Sequence, residues 1–366
     1  MAVDDLVRDL GTVGMGDVAT VGGKAAGLGE LIRAGIPVPP GRVVTTAAFH
    51  AALAPLDPAG LVAREVGGLA PGDAESLSRA GRALRARVEA APVPGEVGEA
   101  IRGGYRALGG GAGSAPGEVP VAVRSSATAE DSAEASFAGV QDTYLWVRGE
   151  DQVLDQVRRC WASLYDVESL TYRLQRGLGE TGLAMGVVIQ QMVDAHASGV
   201  VFTRSPVTGD RSVIVLEASW GLGSAVVSGE VTPDRYTVNK VTGEVITNAV
   251  STKTRRHRPD PAGGGVRAEA VPAALQDRPC LAEAEVARLV EVARRVEAHY
   301  GTPQDIEWAI AADPAGGSRV LVLQSRPETV WSGRPERPLA KPRGRPFDHV
   351  VSLLGGQVDP PGDDRP

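Results

Sequence analysis

The sequence DIEWAIAADPAGGSRVLVLQSR, residues 305–326, predicts two β-strands joined by a turn. The runs 305–310 and 319–326 are rich in apolar and β-branched residues. The segment between them, 311–318, contains the proline and the glycines that are typical of a turn. Because side chains alternate along a strand, each run presents one apolar face and one partly polar face. The stretch therefore predicts an antiparallel pair that buries one face and exposes polar groups on the other.

The polar face of this pair carries candidate metal ligands. A symmetric pairing across the turn puts residue 305 opposite residue 324 and residue 307 opposite residue 322, so Glu307, Gln324 and Arg326 project to one side. Carboxylate and amide oxygens suit Mg²⁺, which keeps few protein ligands and also binds nucleotide phosphates. Arg326 would add positive charge. The alternative interpretation is a polar surface cluster with no ligand.

A second candidate site follows the apolar run Val121–Val123. Arg124 ends this predicted strand, and the hydroxyl residues Ser125 and Ser126 come directly after it. A guanidinium on a rigid strand can bind phosphate oxygens through two parallel hydrogen bonds. The alternative is a structural ion pair of Arg124 with one of the two acidic residues at 130–131.

The segment Gly22-Gly23-Lys24 is a third candidate. Two glycines allow the backbone to approach a phosphate, the lysine supplies charge, and the start of the following predicted helix favours an anion. It is not a Walker A loop, because Val18 and Ala25 occupy positions that require glycine and Ser or Thr. The alternative is a solvated lysine in a helix-start turn. Only four of the 38 basic residues are lysines, at positions 24, 240, 253 and 341.

The order of the remaining elements predicts an α+β protein and not a regular βαβ array. Strands and helices are mixed along the chain without an internal repeat. Helical patterns cover residues 73–108, which we expect on the surface, residues 151–177, expected as one long helix, and residues 281–300. The polar, Gly-rich segment 255–265 predicts a mobile loop.

Composition excludes several classes of protein. The chain has 366 residues, a net charge of −7 and 43% apolar residues, which is typical of a globular protein. No apolar run is long enough to span a membrane, and the acidic first ten residues do not resemble a secretory signal. Two cysteines are too few for a disulfide framework, so we expect a cytoplasmic protein. The lack of a long basic run argues against nucleic-acid binding.

Taken in chain order, the motifs resemble one family. They match the N-terminal nucleotide-binding domain of phosphoenolpyruvate synthase (pyruvate, water dikinase), also found in pyruvate phosphate dikinase, rifampin phosphotransferase and phenylphosphate synthase. The resemblance extends from about residue 12 to residue 330 and rests on VGGKAAGLGE (21–30), VRSSATAED (123–131), SFAG (136–139), DT (142–143), SGVVFT (198–203), PVTG (206–209), WGLG (220–223), QDIEW (304–308) and LQSRP (323–327).

The resemblance implies a fold of the ATP-grasp type, in which two lobes clasp ATP. The lobes would be residues 1–185 and 186–330, followed by a Pro- and Arg-rich tail, 331–366.

The resemblance also implies roles for individual residues. Lys24, Arg124 and Arg326 would bind phosphates and act in catalysis. ATP binding would further involve Gly139 and Thr143 in the phosphate loop, Gln190 beside adenine at the lobe junction, and the Mg²⁺ ligands Glu307 and Gln324.

These enzymes pass a phosphoryl group from ATP to a histidine on a swivelling domain and then to an acceptor. None of the five histidines stands in the glycine- and threonine-rich setting of that domain. We therefore expect a stand-alone ATP-binding subunit that phosphorylates a histidine on a separate protein, which also carries the acceptor-binding domain. The acceptor could be pyruvate or a phenol. The alternative is a nucleotide-sensing protein without phosphoryl transfer.

Overall fold

The computed structural model describes residues 3–57, 60–109, 119–128, 131–132, 135–136, 142–177, 183–260, 264–313 and 316–333. The chain divides into two compact units between Thr329 and Val330. The fold set out below is that of the first unit.

Helices and strands alternate irregularly along the described chain, which confirms the α+β class. The strands are β1 Val7–Asp9, β2 Gly41–Val44, β3 Val121–Ala127, β4 Asp131–Ser132, β5 Ala135–Ser136, β6 Thr143–Val147, β7 Met185–Gln191, β8 Ala197–Phe202, β9 Val213–Trp220, β10 Asp234–Asn239, β11 Val245–Ala249, β12 Arg255–Pro259, β13 Val266–Ala270, β14 Gln304–Ala312 and β15 Ser318–Pro327. The helices are α1 Val3–Leu6, α2 Val18–Val21, α3 Gly23–Arg33, α4 Thr46–Leu53, α5 Leu61–Gly67, α6 Ala74–Ala90, α7 Gly95–Arg106, α8 Glu150–Ala162, α9 Val167–Gln175, α10 Ser224–Val227, α11 Ala273–Gln276 and α12 Glu283–Tyr300.

The first large sheet has the strand order β1-β2-β7-β3-β6, and all its neighbours are antiparallel. One face packs on the larger helical core, to which Val123 and Ile189 belong. The other face packs on α3 through Val43 and Val188. Residues directly opposite each other in antiparallel strands share a face. Arg124 lies opposite Val188 and is therefore on the α3 face.

The second large sheet has the order β11-β10-β9-β8-β14-β15 and is also antiparallel. The side chains of Ile306 and Trp308 are buried in a core that includes Val290 and Val296 of α12. Because strand residues alternate, Asp305 and Glu307 lie on the opposite face. This sheet therefore has the predicted arrangement of one buried and one polar face. The chain passes from the first sheet to the second over residues 192–196.

The structure corrects three predictions of local structure. The predicted long helix 151–177 is two helices, because Asp166, the residue before α9, adopts an extended backbone (φ −65°, ψ 151°) after a 3-10 turn. The segment 255–265, predicted as a mobile loop, contains β12, which pairs with β13. The segment 73–108 is helical but not simply exposed, since Leu84 of α6 and Ile101 of α7 are buried in the first core.

Two glycines of α3 provide a matched test of how tightly this helix packs. A Cβ on Gly29 would lie 2.2 Å from the carbonyl oxygen of Val13 and 2.7 Å from that of Leu10, whereas a Cβ on Gly27 would have no heavy atom within 4 Å. We expect Gly29→Ala to lower the free energy of unfolding by about 1–3 kcal/mol through overpacking. Gly27→Ala should raise it by about 0.5–1 kcal/mol, because alanine is the better helix former. Urea denaturation measures both, and equal effects would contradict the packing.

Candidate functional site

Arg124 connects the two large sheets. Its Nη1 donates to the carbonyl oxygen of Leu323 at 2.9 Å, and its Nη2 donates to Gln324 Oε1 at 2.6 Å. Nη2 also lies 3.4 Å from Glu307 Oε2 in an ion pair. The side chain is 11% exposed, and its buried Nε has no hydrogen-bond partner among the residues that the structure describes. Arg124 is therefore in an ion pair, with Glu307 as its partner; the side chains of residues 130–131 lie outside what the structure describes.

The strands β14 and β15 bring the predicted polar residues together in a different register. Glu307 lies opposite Gln324, not opposite residue 322, and Asp305 lies opposite Arg326, not opposite residue 324. A shift in register between residues 307 and 308 separates the site end of the pair from the turn end. Glu307, Gln324 and Arg326 still share one face, as predicted, because the shift lies between them and the turn.

Asp305 is a residue of this face that the sequence argument did not select. Its Oδ2 lies 3.4 Å from Nε of Arg326, which is half exposed. Burial raises the pKa of the Asp305 carboxyl to about 6, and the nearby Arg326 guanidinium opposes this shift. The signal that points to Asp305 is its position two residues before Glu307, which places both carboxylates on the same face of β14.

The donor set at this point fits a hard cation such as Mg²⁺. Glu307 and Gln324 direct one oxygen each toward the same cationic nitrogen, Nη2 of Arg124. Carboxylate and amide oxygens are the ligand types that Mg²⁺ prefers. Among the described residues, no group of three or more His, Cys, Asp or Glu side chains is arranged to hold a metal. A two-residue set leaves room for the phosphate oxygens that Mg²⁺ usually shares with a nucleotide.

Lys24 is buried, with 9% of its surface exposed, and its Nζ donates to the carbonyl oxygen of Ser125 at 2.7 Å. The alternative of a solvated lysine is therefore wrong. Gly22 has a φ of +78°, and a Cβ there would lie 1.9 Å from the carbonyl oxygen of Ser126, so this close approach requires glycine. The N–H of Ala25 donates to Ser126 Oγ at 3.0 Å. The sequence suggested that the N–H groups at the start of α3 favour an anion, but the N–H of Ala25 is already bound to Ser126.

The remaining predicted residues lie on the first sheet. Thr143 begins β6 directly opposite Arg124, and Gln190 of β7 lies opposite Ala122. Since Ala122 and Arg124 are two residues apart on β3, all of these residues share the α3 face. Gln190 is buried and donates to the carbonyl oxygen of Pro39 at 3.2 Å. Gly139 lies outside the described residues.

Three described histidines are paired with carboxylates. Their Nε2 atoms lie 3.0–3.3 Å from an acidic oxygen, in the pairs His196–Glu285, His257–Glu230 and His299–Glu30. Each of these three imidazoles therefore has an acidic side chain as its neighbour. No helix in the described part of the chain is both long and apolar enough to cross a membrane.

Relatives with curated names cover most of this chain. The probable phosphoenolpyruvate synthase of Staphylothermus marinus is 42% identical over 97% of the chain and 44% of its own length. The phosphoenolpyruvate synthase of Aeropyrum pernix is 40% identical over 93% of the chain and 43% of its own length. The rifampicin phosphotransferase of a Streptomyces species is 43% identical over 91% of the chain and 37% of its own length. The chain thus spans less than half the length of these relatives.

The match to a protein family covers the same part of the sequence. Residues 18–345 match the family described as "Pyruvate phosphate dikinase, AMP/ATP-binding domain". This range includes Lys24, Arg124 and both strands that carry Glu307, Gln324 and Arg326, β14 and β15. The chain therefore belongs to the pyruvate phosphate dikinase AMP/ATP-binding domain family.

Proposed function

We propose that this chain is the ATP-binding subunit of a split dikinase with an ATP-grasp-type fold. It binds Mg-ATP and transfers a phosphoryl group to a histidine on a separate protein, which carries the acceptor-binding domain. AMP and phosphate are the by-products. The observation that supports this proposal most is the convergence of Arg124, Glu307 and Gln324 between the two sheets. Family membership supports ATP as the nucleotide.

In this proposal the chain contributes positioning and charge neutralisation, which dominate catalysis of phosphoryl transfer. Lys24, Arg124 and Arg326 donate to phosphate oxygens, and Arg124 exchanges its bonds with Glu307 and Gln324 for bonds to the nucleotide. Glu307 and Gln324 hold Mg²⁺, which supplies positive charge beside the phosphates when it is bound.

The other proposed contacts come from strands β6 and β7 of the first sheet and from the chain segment that precedes β6. Thr143 and Gly139 contact the phosphates, and Gln190 contacts adenine. The proposed lobes are residues 1–185 and 186–330, with a boundary at the start of β7, a strand that pairs with β2 and β3 in the first sheet. The tail, 331–366, has no proposed role.

Isotope transfer tests the proposed reaction. The purified chain is mixed with a candidate histidine-domain partner and with ATP labelled separately at the β- or the γ-phosphate. We expect label from one position on the partner's histidine and label from the other position in free phosphate. Tight ATP binding without any labelled histidine would overturn phosphoryl transfer and favour the nucleotide-sensing alternative.

Metal dependence tests the proposed ligands. We expect Glu307→Gln and Gln324→Ala each to raise the Mg²⁺ concentration that half-saturates ATP binding about tenfold, because each removes a charged or strongly polar oxygen ligand. Titration calorimetry at fixed ATP measures this. Glu217→Gln is the matched control, since Glu217 lies in the same cross-strand row of the sheet and pairs with Arg235. Unchanged Mg²⁺ dependence would remove Glu307 and Gln324 as ligands.

A further inference from the structure

A guanidinium surrounded by three carboxylates lies outside the candidate site, next to the start of β6. Arg85 of α6 binds both carboxylate oxygens of Asp166 through Nη1, at 2.5 and 2.7 Å. Its Nη2 donates to Asp142 Oδ2 at 2.9 Å, and its Nε donates to Glu89 Oε1 at 2.9 Å. Each of these side chains is only 24–34% exposed. Nothing in the proposed reaction uses this cluster.

Asp142 connects the cluster to β3 and β6. Its backbone carbonyl accepts the N–H of Ser125 at 3.3 Å, and its Oδ2 accepts the hydroxyl of Tyr144 at 2.6 Å. Thr143 lies between Asp142 and Tyr144 in the chain and is opposite Arg124 in the sheet. The position of Asp142 therefore sets where β6 begins beside β3.

The connection continues from β3 to α3. The same Ser125 whose N–H is bound by Asp142 offers its carbonyl oxygen to Nζ of Lys24. Hydrogen bonds thus run without a gap from Arg85 through Asp142 and Ser125 to Lys24. Three residues proposed to bind phosphate, Lys24, Arg124 and Thr143, are attached to this one path.

We propose that Arg85 is a positioning residue, which holds Asp142 and thereby the phosphate-binding residues of β3, β6 and α3. The inference rests on the proposed function, because it assigns Arg85 to the binding of nucleotide phosphates. Arg85 itself does not contact the nucleotide.

The electrostatics of the cluster give the physical reason. Asp142 and Asp166 are close enough that the charge of Asp142 raises the pKa of the Asp166 carboxyl, in addition to the larger effect of burial, while Arg85 opposes both. Without the guanidinium, two partly buried carboxylates face each other without a cation. Their repulsion moves Asp142 away, and Asp142 takes Ser125 and Thr143 with it.

Comparison of ATP with adenosine tests this inference, because only ATP carries phosphates. We expect Arg85→Gln to weaken ATP binding about tenfold while adenosine affinity changes less than twofold, and Arg85→Lys to recover part of the loss. The matched control is Arg79→Ala on the same helix, whose ion pair with Glu75 is exposed. It should leave both affinities unchanged. Competition binding with a fluorescent nucleotide measures all four proteins.

Equal losses for ATP and adenosine, or no loss for ATP, would overturn the positioning role. If Arg85→Gln does not fold, Tyr144→Phe decides, since it removes one hydrogen bond to Asp142 and leaves the cluster of charges intact. A selective loss of ATP affinity in Tyr144→Phe supports the inference, and no selective loss contradicts it. If the wild-type chain itself does not bind ATP, the proposed function fails, and that result is separate from any difference between variants.

Discussion

Replacing Arg124 with methionine is expected to weaken ATP binding about 100-fold, equivalent to about 2.7 kcal/mol. The guanidinium is fixed on β3, is only 11% exposed and has a buried Nε with no partner in the described part of the chain, so it is ready to form further charge-assisted hydrogen bonds. Such bonds to a charged group contribute about 1.5–3 kcal/mol each. Methionine keeps most of the volume of the side chain but removes the charge and all the donors. Titration calorimetry with ATP and Mg²⁺ measures the loss.

The control for this experiment is another partly buried arginine of the second sheet region. Arg294 donates to the carbonyl oxygens of Lys240 and Val241, at 2.7 and 3.0 Å, and contacts none of the proposed phosphate-binding residues in these bonds. Arg294→Met should change ATP affinity less than twofold. If Arg124→Met binds ATP as tightly as the wild-type chain, Arg124 is a structural link between the sheets and not a phosphate ligand.

Lys253→Met is expected to lower the free energy of unfolding by about 3–5 kcal/mol, the cost of leaving a buried charge without its partner. Lys253 and Asp234 are both fully buried, and their Nζ and Oδ1 atoms form an ion pair at 2.5 Å. Asp234 also accepts the backbone N–H groups of Ser251 and Cys280, each at 2.9 Å. These bonds hold the carboxylate in place when the lysine is removed. Chemical denaturation measures the change.

Two further variants separate the buried charge from simple loss of packing. Adding Asp234→Asn to Lys253→Met removes the unpaired charge and keeps an acceptor oxygen for one of the two N–H groups, so part of the lost stability should return. Lys240→Met breaks an ion pair with Glu297 that is partly exposed, and it should cost about 1 kcal/mol or less. Similar losses in Lys240→Met and Lys253→Met would contradict the importance of burial.

The sequence predicted local patterns better than the contacts between distant segments. The alternation along β14 and β15 was sufficient to group Glu307, Gln324 and Arg326 on one face. It was not sufficient to predict their register, because a shift after Glu307 leaves no mark in the pattern of residue types. The buried and polar faces of this sheet follow from the same alternation, whereas the α+β class follows from the mixed order of helices and strands along the chain.

The environment of single residues was least accessible from the sequence. The buried ammonium group of Lys24 donates a hydrogen bond to the backbone carbonyl oxygen of Ser125, 101 residues further along the chain. The helix over 151–177 is interrupted at Asp166, whose carboxylate binds Arg85 of another helix. Local propensity contains no information on such partners, since they are set by the packing of the whole domain.

The lysines described above determine which reagents can report on this protein. Within the described part of the chain, Lys24 and Lys253 are buried and the side chain of Lys240 is 17% exposed and ion-paired, while both cysteines are buried. Amine- and thiol-directed labels will therefore modify little of this surface in the folded state. Cross-linking of this described surface to the proposed histidine-bearing partner therefore calls for chemistry directed at carboxylates or at guanidinium groups.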